Sequence, residues 1–183
     1  MVTLLFLFVY VSIFVIVVLM LGLGITYINE HLGYQNIFLE GGLPAKSPEG
    51  FYKGKALLFG GVETPWLGKA FSPSTVSGFN VFAPAGLGVL KILTPFYKRF
   101  SLNKDRTVSA YNFKTYVGKG LKDDKQVIKL DYSLKENPLF IRLILGEIVW
   151  TDTAEFLGKV HLKIFPGFYV TVGYFSLRQD IKK

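Results

Sequence analysis

The pattern of apolar and polar positions changes character near residue 28. Residues 1–27, MVTLLFLFVYVSIFVIVVLMLGLGITY, carry no charged side chain. Val, Ile, Leu and Phe fall on every face of a helix drawn through them. At about 1.5 Å rise per residue, some twenty such residues cross a hydrocarbon core of roughly 30 Å. The pattern predicts a transmembrane anchor over residues 1–28. A cleaved signal peptide needs a basic start, a shorter apolar run and a small-x-small cleavage site. This start has no Lys or Arg, and the exit Gly22-Leu23-Gly24-Ile25-Thr26 is a poor site. A buried core helix would need an apolar environment all round, which a domain of this size rarely offers. Tyr10 and Tyr27 stand toward the two ends, as interfacial aromatic residues do.

Residues 29–50 hold Gly33, Gly41, Gly42, Pro44, Pro48 and Gly50 and are expected to form a linker. From Phe51 the period becomes two. Runs of strand length lie between turn residues at Phe51–Phe59, Trp66–Phe71, Gly78–Phe82, Thr107–Val117, Gln126–Tyr132, Glu147–Thr151, Glu155–Phe165 and Phe168–Leu177. In one of them Ile128, Leu130 and Tyr132 share a face, and Lys129 and Asp131 take the other. The last two runs join through Pro166-Gly167 and predict a tight hairpin. Asn137-Pro138, ahead of LFIRLILGE, predicts a short helix with Asn as cap and Pro at its first position. Residues 85–104, AGLGVLKILTPFYKRFSLNK, are apolar and then basic around Pro95, which suits a loop or broken helix. The fold class is therefore mainly β: an N-terminal transmembrane helix, then a small antiparallel barrel over residues 51–183 with one or two short helices.

Charge narrows the partners. The net charge of +8 lies wholly beyond the anchor, and lysine outnumbers arginine about four to one. Base reading leans on Arg, and no nucleic-acid motif is present, so nucleic acid is not an expected partner. A Lys-rich domain close to a bilayer suits anionic headgroups, at roughly 1 kcal/mol per basic residue near the surface. A merely solvated basic face is the plainer alternative. Lys and Arg follow the helix rather than precede it, which favours the C-terminal domain on the cytoplasmic side. A folded domain can still translocate whatever its charge. With no cysteine and only His31 and His161, a disulfide framework and a Cys/His zinc site are excluded. No metal or cofactor is expected.

Four times the chain writes aromatic-x-Gly-Lys: Tyr52–Lys55, Trp66–Lys69, Tyr116–Lys119 and Phe156–Lys159. Glycines inside strands mark bends, bulges or close backbone approach, and a sheet that closes needs such points. Alternatively Lys69 and Lys159 point into a cavity and hold an anionic headgroup. Strict alternation would put Trp66, Gly68 and Ala70 on one face and Lys69 and Phe71 on the other. Arg142 lies in an otherwise apolar stretch and should seek a carboxylate such as Asp131 or Glu147. It either holds a helix on the barrel or ends a ligand cavity. With Trp66, Tyr111, Tyr116 and Tyr174, the side chains of Lys69, Arg142 and Lys159 make up the candidate ligand-binding set. Leu90, Ile92, Phe96, Tyr97, Lys98 and Arg99 are the candidate membrane-interface set; a lid over the barrel mouth is the other reading of their segment. Gly-x-Ser-x-Gly is absent, and His161 shares the lysine face of its strand, as a surface or rim residue would. No catalytic residue is assigned.

Phe51-Tyr52-Lys53-Gly54, Pro65–Phe71, Tyr116–Gly120, Leu130-Asp131-Tyr132, Asn137-Pro138, Leu157-Gly158-Lys159 and Tyr174–Leu177 resemble small bacterial proteins of lipocalin-like type. Gly50-Phe51-Tyr52-Lys53-Gly54 is similar, with Tyr for Trp, to a family named for a Gly-x-Trp-x-Gly motif. The resemblance implies a small antiparallel barrel and an apolar ligand. The leading expectation is a membrane-anchored barrel that binds a lipid or other apolar small molecule near the bilayer surface. The alternative is a non-catalytic structural or assembly subunit of a larger membrane protein complex. An enzyme on the same barrel would need a strongly perturbed carboxylate or His in a pocket.

Overall fold

A computed structural model of the chain describes residues 33–57 and 64–179, with isolated positions at 14, 18, 20–22 and 24. Apart from those positions, the expected anchor over residues 1–28 lies outside the described residues. Among the described residues no helix is long and apolar enough to cross a membrane.

Nine antiparallel strands carry the fold: β1 (Gly50–Ala56), β2 (Trp66–Ser72), β3 (Ser77–Phe82), β4 (Ser101–Leu102), β5 (Val108–Lys119), β6 (Gln126–Asp131), β7 (Ile144–Trp150), β8 (Phe156–Phe165) and β9 (Phe168–Gln179). Eight of them close into a barrel. β5 pairs with β3 on one edge and β6 on the other, and β9 returns to pair with β1, Ala56 opposite Phe175. The two-residue β4 pairs only with the start of β5. The chain is thus mainly β and compatible with a lipocalin-like fold.

Alternation explains the closure. Ile128, Leu130 and Tyr132 join the barrel core, while Val127, Val149, Leu157 and Tyr174 face outward and form a second cluster. Helix α1 (Tyr34–Glu40) covers that outer cluster, with Phe38 wholly buried in it. The stretch expected as a linker therefore contains a packed helix. Its signal is the spacing of Tyr34 and Phe38, four apart and on one helix face.

The helix expected after Asn137 is instead one 3-10 turn, Ile141–Leu143, leading straight into β7. The same residues gain more as a strand. Ile144, Gly146 and Ile148 face inward, and β7 hydrogen-bonds to β6 and β8 on its two edges. A helix there would leave both neighbouring edges open. Asn137 is not a cap; its side-chain amide donates to the carbonyls of Asn112 and Tyr132 at 2.7 and 2.9 Å. The segment between β3 and β5 is a broken helix: α2 (Leu87–Leu93) stops at Thr94, just before Pro95. The β8–β9 hairpin turns at Pro166-Gly167, with Gly167 at φ 82°.

Candidate functional site: a half-filled barrel

The barrel interior is filled at one end only. There Tyr52, Phe71, Phe113, Phe156 and Trp150 meet with ring centroids 4.9–5.5 Å apart. Ile128, Ile148 and Leu177 complete the plug. Toward the other end lies a cavity of about 300 Å³, walled mainly by apolar side chains such as Phe82, Leu130, Val160 and Phe175. Leu90 and Leu93 of α2 and Phe140 and Ile141 stand at its mouth. A larger groove of about 550 Å³ runs beside α1. It includes the exposed Lys53, Lys55 and Arg178 and has no buried reactive group, so the internal cavity is the better site.

One polar group enters this apolar wall, centred on Lys69. Its Nζ donates to Asn80 Oδ1 at 2.6 Å and to the Tyr132 hydroxyl at 2.5 Å. Trp66 Nε1 also donates to Asn80 Oδ1, at 3.2 Å. The amine sits over the rings of Trp66, Phe113, Tyr132 and Phe175, 5.1–5.3 Å from each centroid. Lys69 is 5% exposed, and no carboxylate pairs with it among the described residues. Removing an ammonium from water with no counter-ion costs several kcal/mol, so burial pushes the Lys69 pKa down to about 7. Burial likewise pushes the Tyr132 hydroxyl well above its ordinary value, with the Asn80 hydrogen bond opposing in part.

Backbone irregularities put these groups inside. β2 and β3 shift register between Trp66 and Gly68. Gly68 has φ 144°, and a Cβ there would lie 2.0 Å from the Tyr52 carbonyl oxygen, so only glycine fits. The bulge turns Trp66 and Lys69 to the same inner face. Strict alternation had them opposed, and the extra residue of the bulge is the reason it fails. A second shift, in the β3–β5 ladder, lies between Gly78 and Asn80. Opposite it Tyr111 adopts φ 55°, a costly conformation for a non-glycine residue. Its N–H donates to the Tyr97 hydroxyl, and its carbonyl accepts from Asn80 Nδ2, both at 3.1 Å. The Tyr111 hydroxyl lies 3.1 Å from Thr94 Oγ1. These contacts tie the end of α2 to the wall that carries Lys69.

Of the candidate ligand-binding set, Trp66, Lys69 and Tyr111 line the cavity. Tyr174 borders it, but its hydroxyl donates to Gln35 Oε1 of α1 at 2.7 Å and its ring packs on Tyr34. Tyr116 is exposed on β5. Lys159 is on the outer side of the barrel, paired with Asp123 Oδ2 at 2.6 Å beneath the Phe38 ring. Arg142 finds no carboxylate among the described residues; it donates to the carbonyls of Asn137, at 2.7 Å, and Lys135. The loop before β7 curls round the guanidinium, and backbone oxygens satisfy it there. Asn80 and Tyr132 were missed as site residues. Asn80 is a polar residue in the middle of an apolar strand, and Tyr132 continues the inner face of Ile128 and Leu130; both signals are in the sequence.

The candidate interface set divides. Leu90 and Tyr97 are buried against the barrel, whereas Lys98 and Arg99 are exposed. Ile92 is 79% and Phe96 93% exposed. Leu139, from the other side of the mouth, is 77% exposed. Lys91 and Lys135 are exposed nearby. The mouth therefore has an apolar lip with basic neighbours.

On the outer side, under the α1 end of the sheet, lies a second buried polar group. Glu147 Oε1 accepts from Lys129 Nζ at 2.6 Å and from the Leu121 N–H at 2.8 Å. Its Oε2 faces His161 Nε2 at 3.1 Å, and neither of these two atoms has another partner among the described residues. Thr171 Oγ1 lies 3.1 Å from His161 Nδ1. His161 does share the face of Lys159, but it is wholly buried, not at the rim. Burial alone would raise the Glu147 pKa; His161 and Lys129 outweigh it and hold the carboxyl at about 2. With both side chains inaccessible, this group pairs charges and stabilises β6, β7 and β8 against one another. Among the described residues no cluster of His, Asp and Glu could hold a metal ion.

No protein-family model, curated protein or solved structure matches the chain.

Proposed function

We propose that the barrel is lipocalin-like in function as well as form, and binds a lipid or other apolar small molecule taken up near a bilayer surface. The observation that supports this most is the half-filled interior: an apolar cavity of about 300 Å³ whose wall carries one convergent polar group. Ligand sites are typically apolar concavities with a few placed polar groups, and eight-stranded barrels enclose one small ligand. The apolar lip at Ile92, Phe96 and Leu139 suits contact with acyl chains, and Lys91, Lys98, Arg99 and Lys135 suit anionic headgroups. The charge-free segment at residues 1–27 would hold the mouth near such a surface.

Native mass spectrometry with lipid extraction, on the full chain in mild detergent, tests this reading. The expected result is one apolar molecule per chain that survives removal of the detergent. A chain that carries no such molecule, and co-purifies with other membrane proteins, would favour the assembly-subunit alternative.

A further inference from the structure

The chemistry of Lys69 goes further than a polar end to a cavity. A lysine so deeply buried is ordinarily paired with a carboxylate. Here its hydrogen-bond partners are neutral, Asn80 Oδ1 and the Tyr132 hydroxyl, and its other neighbours are ring faces. Acceptors and ring faces present negative potential. They suit an amine and suit a ligand carboxylate poorly, because the carboxylate would meet the same atoms. With its pKa near 7, much of the amine is uncharged at neutral pH. Two N–H groups then serve Asn80 and Tyr132, and a lone pair remains. Desolvation of this kind is a recognised way to make a lysine nucleophilic.

Tyr132 supplies the complementary group. Its hydroxyl accepts from Lys69 and from Asn80 Nδ2 at 3.0 Å, and its own proton reaches Asn80 Oδ1 at 3.3 Å. The hydroxyl oxygen lies 2.5 Å from the Lys69 nitrogen, and burial keeps the phenol in its protonated form, so the proton stands beside the atom that attacks. We propose that Lys69 forms an imine with the carbonyl carbon of a long-chain aldehyde or ketone held in the cavity, with Tyr132 as the proton donor. This rests on the apolar-ligand reading above and deepens it.

The steps balance without an oxidant or reductant. The Lys69 lone pair attacks the carbonyl carbon, and the carbonyl π electrons move to oxygen. That oxygen takes a proton from Tyr132, which is replaced by one from the nitrogen, leaving a carbinolamine. The nitrogen lone pair then forms the C=N bond and expels the hydroxyl, which leaves as water with a second proton passed through Tyr132. An aldehyde and the Lys69 amine have become an imine and one water, and the apolar wall favours loss of that water.

The test is reductive trapping on the full chain in mild detergent, with decanal as the probe and cyanoborohydride as the reductant, followed by peptide mapping. The expected result is one decyl group per chain on Lys69, formed at least tenfold faster than on the exposed Lys91 or Lys98. Tyr132→Phe should slow trapping at least tenfold more than it weakens binding of decan-1-ol, the unreactive counterpart. Lys69→Met should unfold as cooperatively as wild type and lose the adduct, which separates chemistry from folding. Labelling spread evenly over surface lysines, or decanol binding with no trapping at Lys69, would overturn the imine and leave the ligand reading standing. Tight binding of decanoate with no trapping would likewise overturn it, in favour of a carboxylate ligand. Failure to bind decanol, decanal or decanoate would overturn both.

Discussion

The amine of Lys69 donates to the hydroxyl of Tyr132 over 2.5 Å, inside a barrel where no carboxylate balances it among the described residues. Neither residue is needed to close the sheet. A methionine and a phenylalanine would fill the same space without the cost of burying an amine and a phenol. Such a pair is expected where polar chemistry has been kept against stability.

That cost is measurable through pH. The Lys69 pKa is about 7 in the folded chain against 10.5 for the free side chain. The unfolded state therefore binds the proton more tightly, and stability rises with pH between those values and falls as pH drops toward 7. Urea unfolding from about pH 7.5 to about pH 9.5 should show wild type gaining on Lys69→Met by up to about 1.4 kcal/mol per pH unit. Lys69→Met itself should be as stable as wild type or more so at neutral pH.

Glu147 behaves in the opposite sense. Its pKa is about 2 folded against 4.5 for the free side chain, so its contribution is complete above about pH 4.5 and is lost as pH falls through 2. Glu147→Gln leaves Lys129 and His161 buried without their anion, and should cost about 3–5 kcal/mol at neutral pH. The variant's unfolding free energy should also change less than wild type's on acidification, as urea titrations at a series of pH values would show.

Gly68→Ala should be among the most damaging small substitutions in β2. A Cβ there meets the Tyr52 carbonyl oxygen at 2.0 Å and φ is 144°, so the bulge must rearrange. A loss of more than about 1 kcal/mol is expected in thermal melts, together with a changed Trp66 environment in fluorescence.

The chain has no cysteine, so a single one can report on the lip. Phe96→Cys carrying an environment-sensitive fluorophore should shift to the blue when the full chain is placed in vesicles containing phosphatidylserine. Val76→Cys, exposed at the β2–β3 turn on the opposite end of the barrel, should not. Equal shifts at both positions would remove the case for an oriented mouth.

Most of the barrel was legible in the sequence because alternation is a local signal. Gln126–Asp131 and the Pro166-Gly167 hairpin show it directly. The failures came where distant partners decide. Residues 139–147 look helical alone, yet the edges of β6 and β8 draw Ile144–Glu147 into β7. Arg142 was expected to seek a carboxylate, and the loop before β7 offered carbonyls instead. Alternation alone puts Trp66 and Lys69 on opposite faces, because nothing local announces that Gly68 is a bulge rather than an ordinary strand glycine. The two site residues that were missed, Asn80 and Tyr132, matter only through Lys69, and that meeting of β2, β3 and β6 is visible only once the sheet closes.

The central claim, that the cavity holds an apolar molecule, is tested most directly by filling it. Val160 lines the cavity, and Val160→Trp puts an indole into it. Titration of the full chain with an apolar fluorophore should give one saturable site in wild type and at least a tenfold weaker one in Val160→Trp, with both proteins unfolding cooperatively. Equal affinity in the two proteins would place the ligand outside the barrel and contradict the account.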